Sequence, residues 1–151
     1  MLEPERNTGV NDDVGGLNPR APGAELFDAV ERNDLAAVEQ LLSRDAGVNS
    51  LDLRYPSWYA APPLIRAAQA GHSEMVRLLL ANGADVNARD AGGGTALIWA
   101  CNDDHIDCVR LLLAAGADPN LRNNGGYTAR GRTPRRNVEI LRLLEEQGGM
   151  L

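Results

Sequence analysis

"GHSEMVRLLLANGADVN", residues 71–87, decides the fold, because the chain repeats it thirty-three positions later as "DHIDCVRLLLAAGADPN", residues 104–120. The two stretches share V-R-L-L-L-A and G-A-D in register, so one structural unit is used twice and the period has to be read before any single residue. Within the first copy, Val76, Leu79 and Leu80 fall at i, i+3 and i+4. That spacing predicts the buried stripe of a helix beginning at Ser73, and Gly83 supplies a left-handed stop behind it.

Upstream, "PPLIRAAQA" opens with Pro63, tolerated in a first turn because no helical partner is lost there. Leu64, Ala67 and Ala68 then share one face, and the small alanines let a second helix approach. The unit is thus helix, tight turn, helix, with "ADVNARD" turning the chain back toward the next pair. The following unit refills each position: Thr95 as N-cap, Leu97, Ala100 and Cys101 in its first helix, Val109, Leu112 and Leu113 in its second, Gly116 at the stop.

An earlier unit fits at a shift of thirty-eight, with Ala29, Val38, Leu41, Leu42 and Asn49 answering Ala67, Val76, Leu79, Leu80 and Asn87. Five extra residues therefore lie within "SLDLRYPSWYAAP". A final unit, "YTARGRTPRRNVEILRLLEEQGG", keeps Thr128 and a second-helix stripe at Ile140, Leu141, Leu143 and Leu144 but is one residue short between them. Gly131, Pro134 and four arginines replace its first-helix pattern, so that helix is expected to be frayed or shortened.

A length of 151 residues with 44% hydrophobic content suits one globular domain. Residues 1–22 mix Pro, Gly, Asn and Asp with few apolar residues and are expected to form a disordered tail ahead of a repeat domain at 23–151. The units within it span about 24–56, 57–89, 90–122 and 123–151. All fifteen basic residues are arginine, and a net charge of -6 argues against nucleic-acid binding, which needs a basic face. The apolar runs are too short to cross a bilayer, and "MLEPER" lacks the charge pattern of a signal peptide. Two cysteines in helical segments suit reduced thiols, hence an intracellular protein, cytoplasmic or nuclear.

The units resemble ankyrin repeats, whose pattern runs approximately G-x-T-P-L-x-x-A-A-x-x-G-H-x-x-x-V-x-x-L-L-x-x-G-A-x-x-N. "PPLIRAAQAGHSEMVRLLLANGADVN" follows nearly all of it and "GTALIWACNDDHIDCVRLLLAAGADPN" most of it, over about residues 24–149. Departures are Ile65 and Ile98 where the family often has His, Asp104 where Gly71 stands, and the eroded last unit. The resemblance implies an all-α solenoid of four stacked helix-turn-helix units with projecting turns, one that binds another protein through its concave face and loop tips. A regulatory subunit or enzyme inhibitor, or a binder of a small ligand or nucleic acid, is the alternative. No cofactor or membrane association is implied, and a monomer is expected.

The period is broken by three of the chain's six aromatics, Tyr55, Trp58 and Tyr59, in the longer loop. They are either interface anchors or a cover folded over the first helix pair. Stacking also turns equivalent positions into lateral neighbours, and Asp28, Arg66, Trp99 and Arg132 form one such row. Arg66 is expected to sit between Asp28 and Trp99, as an ion pair to one and a cation–π contact to the other. Gln69, Ala70, Asn102 and Asp103 at first-helix ends and Tyr127 on the last turn complete the binding candidates. Acidic "NDD" and basic "RGRTPRR" would polarise the surface along the stack.

Enzymatic and metal chemistry find little footing. In "CNDDHIDC", Cys101, His105 and Cys108 could be offered to zinc, but Cys101 and Cys108 replace Ala68 and Met75, and His105 answers His72, so the repeat accounts for all three. There is no phosphate-binding Gly-rich loop after a strand and no nucleophile elbow. Leu79 eight residues before Asn87 resembles sites modified by asparaginyl hydroxylases in animal ankyrin domains. Asn87 hydrogen-bonding its own turn is the preferred reading.

Overall fold

The computed structural model describes residues 23–148. The expected tail at 1–22 and residues 149–151 lie outside the described residues. The described chain forms helix pairs α1 (Ala24–Glu31) and α2 (Leu35–Ser43), α3 (Pro63–Ala70) and α4 (Ser73–Ala81), α5 (Ala96–Asn102) and α6 (Ile106–Ala114), and α7 (Ala129–Arg132) and α8 (Val138–Glu146). First helices pack on first helices and second on second, so α1, α3, α5 and α7 make one layer and α2, α4, α6 and α8 the other. It is an all-α solenoid. One helix pair buries only one side of itself, and each next pair completes the core.

The small residues at the inner face explain that layering. Ala67, Ala68, Ala100 and Cys101 are fully buried between neighbouring first helices, and Val76, Leu79, Val109 and Leu112 fill the seam with the second layer. Leu80 is only partly buried, and Met75 takes part in the core instead. Thr95 caps α5 by accepting from the Ile98 amide at 3.3 Å, and Gly83 and Gly116 hold left-handed φ values of 88° and 89° at the helix stops.

The turn between the helices of a pair needs positive φ, supplied at one template position by three different residues: Asn33 at 56°, Gly71 at 72° and Asp104 at 61°. Asn and Asp are the side chains that best tolerate this region. At Gly71 a Cβ would lie 2.6 Å from the His105 ring, so close approach as well as φ requires glycine. The last unit has no histidine at the position that His72 and His105 hold. Asn137 stands there, caps α8, and donates to Asp104 at 3.2 Å.

α7 is one turn long. Gly131 and Pro134 end it, and Thr133 Oγ donates to the Ala129 carbonyl at 2.8 Å where a longer helix would have continued. An asparagine at the end of each unit links successive loops: Asn49 accepts from the Asp85 amide at 2.7 Å, and Asn87 accepts from the Asp118 amide at 2.9 Å. The Asn87 side chain therefore holds the next unit rather than its own turn. Within its turn, the Asn87 amide donates to Asp85.

Candidate functional site

The long loop after α2 is held down by a residue with no counterpart in the other units. Arg54 is buried, its guanidinium 5.5 Å from the centres of both the Phe27 and Tyr55 rings. It donates to Asp52 at 2.9 and 2.8 Å and to Glu31 at 2.7 and 3.2 Å, and it also reaches Asp28. Burial works against its charge, but the bonds to Asp52 and Glu31 outweigh that and raise its pKa above the ordinary arginine value. Burial and the Glu31 charge push the Tyr55 hydroxyl up as well.

Arg66 does not sit between Asp28 and Trp99. Its guanidinium lies 4.4 Å from the Tyr59 ring centre and 5.3 Å from that of Tyr55, donates to the Tyr59 carbonyl at 2.8 Å, and places Nε 3.5 Å from Asp52. The five-residue insertion overturns the lateral-row expectation. It supplies Arg54, which takes Asp28, and the aromatics that take Arg66. Trp99 is turned elsewhere too, donating from Nε1 to Asp90 at 2.6 Å.

The anchored loop leaves its tip exposed. Trp58 is 71% accessible and Tyr59 47%, with their rings edge-to-face at 6.1 Å, so Trp58 is not a cover over the first helix pair. Tyr55, half-buried against both arginines, fills that role.

Beside the tip runs a groove of about 310 Å³, lined by the loop, by α3 and α5 and by the projecting turn at 90–94. Six of the nominated residues, Trp58, Tyr59, Arg66, Gln69, Trp99 and Asn102, come together on its wall. Arg132 lines the groove as well. Asp90, Ile98 and Asn123 also line it and were not nominated from sequence. The signal for Asp90 was "DAGGG": its carboxylate accepts from the Gly92 and Gly94 amides at 2.9 and 2.8 Å and from the Trp99 indole, and a Cβ on Gly94 would stand 2.8 Å from that indole nitrogen.

The remaining candidates lie apart from the groove wall. Tyr55 is beneath the loop, Asp103 is exposed and accepts from Asn102 at 2.8 Å, and Tyr127 carries the Arg132 guanidinium 5.4 Å from its ring centre. Two of the four arginines in the basic run are neutralised where they stand. Arg136 pairs with Asp104 at 2.7 Å and Arg130 with Glu145 at 2.6 Å, which blunts the expected charge polarity.

Cys101 and Cys108 are buried and unpaired. Burial pushes the Cys101 thiol up to about 12, against a bond with Thr133 that works the other way, and the Cys108 thiol up to about 11. His105 faces the Gln69 carbonyl at 3.1 Å and His72 the Glu31 carbonyl at 3.3 Å, so each histidine joins its unit to the preceding one. Among the described residues no three His, Cys, Asp or Glu side chains are grouped to hold a metal, and no helix is long and apolar enough to cross a membrane.

Paired short helices, stacked in two layers with projecting turns, define a helical repeat protein. The family described as ankyrin repeats (3 copies) matches residues 26–123, and the chain belongs to that family. It is 38% identical over 77 residues to the 2-5A-dependent ribonuclease of Mus musculus, covering 51% of this chain and 10% of that protein. It is 40% identical over 81 residues to the E3 ubiquitin-protein ligase XBAT33 of Arabidopsis thaliana, covering 53% of this chain and 15% of that protein. The matched stretch is thus a small part of each relative. Ankyrin repeats are generally non-catalytic protein-interaction modules.

Proposed function

We propose that this chain is a non-enzymatic protein-binding module that grips its partner in the groove between the aromatic loop and α5. The observation that carries this reading is Trp58. An indole left 71% exposed beside a concave wall containing the chain's other tryptophan is costly in water and gains most when a partner covers it. Arg54 adds support, since it pins the base of the loop and so reduces the ordering cost of binding at its tip. A cytoplasmic or nuclear setting is supported by two buried, unpaired thiols.

Affinity capture from cells with the intact chain and with a Trp58→Ala, Tyr59→Ala double variant tests the reading. The double variant is expected to lose the captured partner with its urea midpoint unchanged. Equal capture by both would remove the groove from consideration. A second reading, as a regulatory partner of an enzyme, is favoured by the relatives' names, a ribonuclease and a ubiquitin ligase. It would make the captured partner catalytic.

A further inference from the structure

The charges around the groove are unequally satisfied. Asp90 accepts three fixed N–H donors, and Arg66 is occupied by the Tyr59 carbonyl, by Gln69 at 3.3 Å and by Asp52. Arg132 differs from both. It is exposed, its guanidinium rests on the Tyr127 ring, and among the described residues it has no carboxylate within ion-pairing distance. The apolar part of the wall is set beside it, with Ile98 buried, Trp99 fixed by Asp90 and Trp58 exposed.

We propose that the groove takes an extended peptide segment of the partner, seating one aromatic or branched aliphatic side chain against Trp58, Ile98 and Trp99 and one carboxylate against Arg132. The proposal rests on the groove being the partner-binding surface.

The stack sets the spacing between the two anchors. Trp99 and Arg132 hold the same template position on the adjacent helices α5 and α7. Packed helices lie about 8–10 Å apart. An extended chain advances about 3.3 Å per residue, so the apolar and acidic residues are separated by about three steps.

Charge decides for one carboxylate rather than an acidic run. The protein's net charge of -6 repels a strongly acidic segment. A single contact at Arg132 is short-range and keeps its local attraction when salt screens the rest, beyond about 8 Å at physiological ionic strength. The carboxylate could be an Asp or Glu side chain or a peptide C-terminus.

The test begins by panning a random-peptide phage library on the intact chain. Enriched sequences are then synthesised with free and with amidated C-termini and titrated by intrinsic tryptophan fluorescence, because both tryptophans of the protein line the groove. The expected enrichment pairs an aromatic or branched aliphatic residue with an acidic one about three positions away. Indifference to amidation assigns the carboxylate to the side chain, and a requirement for the free end assigns it to the terminus. Either outcome supports the proposal.

Arg132→Ala should weaken the best peptide about two- to five-fold, as an exposed charge pair does, and abolish the acidic preference on re-panning. Trp58→Ala should weaken it about five-fold or more. Peptides that perturb the tryptophans yet show no acidic preference and bind Arg132→Ala equally would overturn the carboxylate contact while leaving the groove reading intact. If no enriched peptide perturbs the tryptophans, both fall.

Discussion

Arg54 and Asp52, two residues apart in the inserted loop, meet as a two-pronged pair at 2.9 and 2.8 Å, with both side chains fully excluded from solvent. The pair joins the loop to α1 through Glu31 and Asp28, and so turns an insertion into part of the first unit.

Removing Arg54 leaves the Asp52 carboxylate buried without its main partner, whereas Glu31 and Asp28 can rehydrate. Arg54→Ala is expected to cost about 3–5 kcal/mol in urea unfolding, the range for a broken buried ion pair. The Asp52→Ala, Arg54→Met double variant should lose less than the sum of its single changes. Strict additivity would mean that the pair is not coupled.

Gly71 and Asp104 occupy equivalent turns but should respond differently to substitution. Gly71→Ala must hold a Cβ at positive φ and 2.6 Å from the His105 ring, and is expected to cost about 1–3 kcal/mol. Asp104→Gly relaxes the backbone while losing the Arg136 pair and the Asn137 bond, for a net cost within about 1 kcal/mol. Thermal melts of the two variants distinguish the costs.

Asn87 holds the Asp118 amide from one unit away. Asn87→Ala should reduce stability by about 1 kcal/mol, the worth of one such bond. Hydrogen exchange should speed up at Asp118 specifically. An unchanged Asp118 amide would mean that water replaces the asparagine at no cost.

The buried thiols predict a loss of stability in alkali. Both are held neutral in the fold, with pKa values raised from 9.0 to about 12 and about 11. Above about 9 the unfolded chain releases these protons while the folded chain keeps them, so stability is intact below that pH and falls as it rises toward 12. Urea midpoints followed across this range should fall less steeply in Cys101→Ala. Iodoacetamide should label either cysteine slowly until the protein unfolds, and rapid native labelling of Cys101 would contradict its burial.

Much of the architecture was legible along the chain because it is local and repeated. A thirty-three-residue period, alanines on one helix face and leucines on the next, Thr95 at an N-cap and Gly83 at a stop each act within a few residues of themselves. Gly131 and Pro134 announced the shortened α7 by the same local rules.

The site was only half legible. The aromatic loop that breaks the period singled out Trp58 and Tyr59, the template placed Arg66, Gln69, Trp99 and Asn102 on the first helices, and all six share a groove. The partners of Arg66 and Trp99 could not be read that way, because the template assumes that every unit meets its neighbour identically and the insertion breaks this identity.

By itself the sequence determined the repeat, its helix pairs and where the period fails, since periodicity and capping are properties of neighbouring residues. Only the tertiary structure decided that Arg54 is buried, that it captures Asp28, and that Trp58 is left exposed. Those outcomes depend on how Arg54 and Arg66 share carboxylates and aromatic faces drawn from α1, the loop and α3, a competition settled by three-dimensional packing and desolvation rather than by order along the chain.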